Sequence, residues 1–198
     1  MNRNILALII LVVAIVGLYG LFYAAVATVL MPQDLDRFKA DLDTLSQTPT
    51  INESDIAELE DAAGVMESYS PLKYLSPDQR AAMANGIRNK NNVPPELLNQ
   101  NFTEYNNYNN YRAEAYALVL KEDLSRQIKN LSNTYSNLSS LNDEIMSISQ
   151  KMATDFENGD NDAYAEDLRN MANHMKQYNN EMALLKTQLQ TIVNQLGE

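Results

Sequence analysis

The sequence predicts an all-α protein: an N-terminal transmembrane helix followed by a helical bundle with a long antiparallel coiled-coil hairpin. Three observations carry this. Residues 5–31 contain no charged side chain; the chain from Tyr164 to Leu196 places an apolar residue at both seam positions of every heptad; and only six glycines and six prolines interrupt 198 residues. Few breakers, with much Leu, Met, Ala, Gln and Glu, favour helix throughout.

The charge-free stretch comes first. A hydrocarbon core of about 30 Å needs roughly 20 helical residues, so residues 5–31 cross with some tilt or reach into the interface. Arg3 precedes the stretch, and Asp34, Asp36, Asp41 and Asp43 follow it. The positive-inside rule then puts residues 1–4 in the cytoplasm and the body outside, as a single-pass cell-membrane protein. Ala25-Val26-Ala27 has the small-x-small form of a cleavage site. Signal-peptide apolar regions run to about 7–15 residues, however, and this one is longer, which favours a retained signal anchor over cleavage after Ala27. Gly20, Ala24 and Thr28 recur every fourth residue and form a small-residue stripe, a candidate helix–helix contact in the membrane.

Residues 32–93 read as short helices. Met31-Pro32 predicts a kink at the membrane surface, after which Leu35, Phe38, Leu42 and Leu45 mark one amphipathic helix stopped by Thr48-Pro49-Thr50. A second runs from Ser54 or Asp55 to Tyr69, with Ile56, Leu59, Ala63 and Met66 inward, and ends at Pro71. Ser76-Pro77-Asp78-Gln79 has the form of a capping box opening a helix to about Arg88, with a loop from Asn89 to Pro95.

Residues 94–198 read as the antiparallel hairpin. Pro94-Pro95-Glu96 opens a long helix, irregular through the Asn and Tyr cluster of Tyr105, Tyr108 and Tyr111. From Leu120 through Leu124, Ile128, Leu131, Tyr135, Leu138, Leu141, Ile145, Ile148 and Met152 to Phe156 its apolar stripe is nearly continuous, slipping by one residue at Leu141. Asn158-Gly159 is the turn, with Gly159 as helix stop and Asp160 or Asp162 as the next cap. Tyr164, Leu168, Met171, Met175, Tyr178, Met182, Leu185, Leu189, Ile192 and Leu196 then alternate spacings of 4 and 3. Ala165, Ala172 and Val193 widen that stripe past a two-helix seam, so the short helices are expected to cover its edge near the membrane while the hairpin tip projects. Self-association through the same edge is the alternative.

Composition excludes more than it assigns. The formal net charge is -11 and Lys and Arg are scattered singly, which argues against nucleic acid. With no cysteine there is no disulfide, thiol catalysis or zinc–cysteine site. His174 is the only histidine and lacks a second ligand of its kind, no phosphate-binding glycine loop occurs, and no nucleophile–base pairing is recognisable. No cofactor or metal is therefore expected. The acidic turn of Asp155, Glu157, Asp160, Asp162, Glu166 and Asp167 departs from calcium-loop spacing, because Thr154 would occupy the first ligand position. Four Asn-x-Ser/Thr triplets, at Asn52, Asn101, Asn130 and Asn137, are candidate N-glycosylation sites, and Asn130 and Asn137 lie one heptad apart on an exposed flank. The tyrosine cluster reads as a candidate recognition surface or as partial core, and the methionines as seam residues.

These features point to a membrane-anchored structural or interaction protein rather than an enzyme. Its expected partners are the membrane, crossed once, and a protein or a second copy through the coiled coil. An accessory subunit of a membrane complex, or a ligand-binding sensory bundle lined by the residue 89–101 loop and the tyrosines, are the alternatives.

Overall fold

The computed structural model describes residues 3–48, 50–89 and 102–197, and every described element is helical. Helix α1 (Arg3–Ala25) is long and apolar enough to cross a membrane. It passes through a π-helical turn, Val26–Leu30, directly into α2 (Met31–Gln47). Pro32 explains the turn. In a regular α-helix residue 32 would donate to the carbonyl four residues back, and proline has no N–H and would press its ring against that carbonyl. Instead the Met31 N–H bonds Val26 O, a five-residue step, and the helix continues. The break expected at Met31-Pro32 is thus absorbed as a π turn without a loop.

Helix α3 (Glu53–Tyr69) starts where the Asn52 side chain accepts from the Ser54 N–H, 3.1 Å, and it stops at Ser70 in the left-handed conformation. A 3₁₀ turn, Pro71–Tyr74, leads to α4 (Pro77–Asn89). The capping box is reciprocal: the Ser76 N–H donates to Gln79 Oε1 at 2.8 Å and the Gln79 N–H to Ser76 Oγ at 3.2 Å. Helix α5 (Phe102–Leu118) follows the segment at residues 90–101; Asn89, the expected loop start, is the last residue of α4, and the rest of that loop, Pro94-Pro95-Glu96 and Asn101 lie outside the described residues. Helices α6 (Glu122–Asn158) and α7 (Asn161–Gly197) form the hairpin, each 37 residues and so about 55 Å long. Gly159, at φ +75°, closes α6, and Asp160 caps α7 by accepting from the Ala163 N–H at 3.0 Å.

Two readings of the sequence are corrected. The helix expected to run unbroken from Pro94 to Phe156 turns back at Val119–Lys121, where Leu120 takes φ +60°; α5 and α6 are antiparallel neighbours, and Leu120 is exposed instead of heading the stripe. Leu118-Val119-Leu120 carries two competing phases, and the phase that wins buries Ala113, Tyr116 and Val119. The hairpin tip also does not project. Leu72 N–H donates to the buried Asn161 side chain at 3.0 Å, and Arg88 pairs with Glu157, so the short helices reach the tip.

The chain therefore runs up, down, up and down. Helices α2 and α3 lie end to end against α7: the joint between them is bridged by Asn179, which accepts from the Ile51 N–H (3.0 Å) and donates to Ile51 O (2.9 Å), while Glu60–Lys176, Glu67–Arg169 and Leu72–Asn161 follow toward the tip. Helices α4 and α5 lie end to end against α6, from Arg88–Glu157 at the tip to Ser125–Ala113 near the base. All ten heptad residues of α7 are buried, as are the flanking Ala165, Ala172 and Val193 that require the covering helices.

Candidate functional site

The most unusual chemistry sits at the base of the bundle, one turn after the apolar stretch. Asp34 is fully buried. Its Oδ1 accepts from the Tyr108 hydroxyl at 2.7 Å and its Oδ2 from the Tyr116 hydroxyl at 2.8 Å. Arg112 Nε lies 3.0 Å from Oδ1, an ion pair without hydrogen-bond alignment. Burial, reinforced by the Asp34 carboxylate, pushes the Tyr116 hydroxyl well above the usual tyrosine range, so it remains a donor. Both arginines of this region lie over the Tyr108 ring, Arg37 with its guanidinium carbon 3.4 Å from the centroid and Arg112 at 4.7 Å. Tyr105 stacks on Tyr135 at 5.1 Å, 11° from parallel.

The cluster ties the helix that emerges from the apolar span to α5. Two hydroxyl donors and one ion pair engage the two Asp34 oxygens, which suits a buried clasp rather than a base awaiting substrate. Beside it is a crevice of about 450 Å³ lined by Arg37, Asp41, Glu104, Tyr105 and Tyr108. Burial raises the Asp41 carboxyl, and Arg37 pulls it partly back. Of the tyrosine cluster, Tyr105 and Tyr108 are thus half-buried packing residues, and Tyr111 projects into solvent.

Asp34, Tyr116, Arg37 and Arg112 were not singled out from the sequence. A signal existed for Asp34. Counting from Met31 through Phe38 to Leu45, it falls on the apolar stripe of α2, where a lone carboxylate implies a buried partner. Nothing local identifies those partners, because they come from α5.

A second crevice, of about 520 Å³, opens between α3, α4, α6 and α7 toward the tip, with Leu59, Ile87, Met83, Met152, Met171 and Met175 among its walls. At the tip itself four of the six acidic residues are engaged by neighbouring groups. Lys151 Nζ contacts the buried Asp167 at 2.6 Å and Asp155 at 3.6 Å, Glu157 pairs with Arg88, and Asp160 caps α7. Among the described residues no group of three His, Cys, Asp or Glu is placed to hold a metal. His174 bridges Asn170 O at 2.7 Å and Glu144 at 2.9 Å, a packing role beside the seam.

The candidate glycosylation sites are dispersed. Asn52 caps α3 through its carbonyl oxygen, Asn130 is exposed on α6, and Asn137 donates to Glu181 at 3.4 Å; Asn101 lies outside the described residues. Gly20 and Ala24 on α1 and Thr28 in the π turn are all exposed, and the Thr28 hydroxyl is satisfied one turn back by Ala24 O at 2.7 Å. No family model matches the chain, and comparisons with curated proteins and with solved structures return no match.

Proposed function

We propose that this protein is a membrane-anchored, extracytoplasmic spacer or scaffold, noncatalytic, whose coiled-coil body presents a rigid surface to protein partners or to further copies of itself. The observation that carries this reading is the uninterrupted helix from Arg3 through the π turn to Gln47, clamped to the bundle by Asp34. A flexible tether suits a domain that searches for ligand; a continuous helix suits one that must hold a fixed height and direction. The bundle would extend about 55 Å from the bilayer. The N-terminus is assigned to the cytoplasm from Arg3 and the following aspartates.

The alternative is an accessory subunit of a membrane complex. The exposure of Gly20 and Ala24 on α1 and of Thr28 in the π turn favours it, since small residues let helices approach closely in lipid.

Crosslinking of intact cells, followed by mass spectrometry of everything joined to the chain, tests both. The spacer reading expects links from the bundle surface, either between copies or to several envelope proteins. Links from α1 to one defined transporter or enzyme would replace it with the accessory-subunit reading. Because the chain has no cysteine, a Tyr74→Cys variant also reports the side on which the body lies; labelling by an impermeant thiol reagent only after lysis would overturn the extracytoplasmic assignment.

A further inference from the structure

The turn between α5 and α6 exposes apolar side chains that the core does not use. Leu118 is 62% exposed and Leu120 77%, and Leu120 is held at φ +60°. A bulky residue in that conformation is strained, which asparagine or glycine would largely avoid. Exposed single leucines are ordinary in soluble proteins; two on a strained turn with no glycine are not.

The position of the turn supplies a reason. Leu120, Lys121, Leu124 and Gln195 share a crevice with Met31, the last residue of the charge-free stretch. The body reaches lower still, since Val26 is 1% exposed and belongs to the same continuous core as Val119 and Leu196. From residue 5 to Val26 the helix rises roughly 33 Å, enough by itself to cross a hydrocarbon layer of about 30 Å. Residues 26–31 then lie at the interfacial depth, and the base of the bundle lies there with them. Tyr23, exposed on α1 just below, fits an interfacial aromatic belt.

We propose that the α5–α6 turn is a lipid-contacting foot: Leu118 and Leu120 enter the interfacial layer of the bilayer that α1 crosses, with Lys121 at the phosphate level. The inference rests on the reading of α1 as a membrane span. The foot gives the body a second membrane contact beside the helix, and two contacts fix a tilt that one leaves free. Glu122 and Asp123 follow immediately, and Arg126 pairs with Asp123, so the surface suits zwitterionic rather than anionic lipid.

The chain contains no tryptophan, so single introduced tryptophans report depth without background. The full chain is reconstituted in phosphatidylcholine vesicles carrying lipids brominated near the headgroup or along the acyl chain. Leu120→Trp and, separately, Leu118→Trp are compared with Leu18→Trp on α1 and with Tyr74→Trp at the far end. The foot predicts blue-shifted emission from the two turn variants, quenched most by the headgroup-proximal bromines, with Leu18→Trp quenched by acyl bromines and Tyr74→Trp unquenched. Turn variants as unquenched as Tyr74→Trp, while Leu18→Trp is quenched, overturn the foot and leave the span standing. A blue shift at the turn without quenching assigns the leucines to a second copy and also overturns it. An unquenched Leu18→Trp removes the span, and the foot with it.

Discussion

The two halves of the bundle share α6 and α7 but are held together by different physics. At the base, α2 and α5 meet through a buried carboxylate, two tyrosine hydroxyls and two arginines stacked over one ring. Toward the tip, α3 and α4 meet the same hairpin through methionines around an open crevice and through exposed ion pairs such as Glu60–Lys176. A buried ion pair adds little net stability, but it tolerates only one arrangement. Methionine packing is adaptable, and exposed pairs contribute about 0–1 kcal/mol. The half next to α1 is thus built for a single geometry, and the distal half for tolerance.

That contrast can be broken from either side. The largest effect is expected at Asp34: Asp34→Ala leaves the buried Tyr116 hydroxyl and the half-buried Tyr108 and Arg112 without their shared partner and should cost about 3–5 kcal/mol, read from thermal and urea unfolding of the detergent-solubilised chain. A loss below about 1 kcal/mol would mean that the clasp is not buried as described. Tyr116→Phe removes one donor to a charged acceptor and should cost about 1.5–3 kcal/mol. The matching change in the distal half, Met171→Leu, should cost less than about 1.5 kcal/mol although Met171 is also buried. If the two conservative substitutions cost the same, the division between the halves fails.

Smaller effects sharpen the distal half. Gly86 is helical and lines the methionine crevice, and a Cβ added there meets nothing within 4 Å. Gly86→Ala should therefore stabilise by about 0.5–1 kcal/mol, seen as a raised Tm. At the tip, burial and then the neighbouring Asp167 raise the Asp155 carboxyl, with Lys151 opposing them. The folded chain thus binds that proton more tightly than the unfolded chain. The stabilisation is full below the ordinary carboxylate range and is lost as pH rises through the raised value. Asp155→Asn should flatten that decline between acid and neutral pH; an unchanged slope would assign it to Asp41, whose carboxyl is raised in the same direction.

What the sequence disclosed follows the same division. The seam of α7, the capping box at Ser76 and Gln79, and the stop at Gly159 rest on spacings within one or two turns, and each is found where the spacing puts it. The reversal at Leu120 was hidden because no glycine, proline or asparagine marks it; it follows from which of two apolar phases finds a partner, and that is decided by packing. The clasp was hidden for a related reason. Asp34 on an apolar stripe signals a need, but the side chains that meet it come from α5, beyond the reach of any local pattern. Coverage of the hairpin up to its tip depends likewise on Asn161 and Asn179, whose amides serve distant backbone and carry no distinctive local signature.

The unbroken helix between α1 and the body has an angular consequence. Each residue inserted into or removed from α2 before Asp34 would swing the clasp by about 100° around the helix axis while moving it only about 1.5 Å. The compass bearing of the bundle relative to α1 is therefore set by a residue count. The π turn contributes to the same dial, because the additional residue it accommodates offsets the phase of everything beyond Met31 from everything before Val26. Whichever flank of the bundle faces a given side of α1 is chosen by that offset before any surface residue takes part.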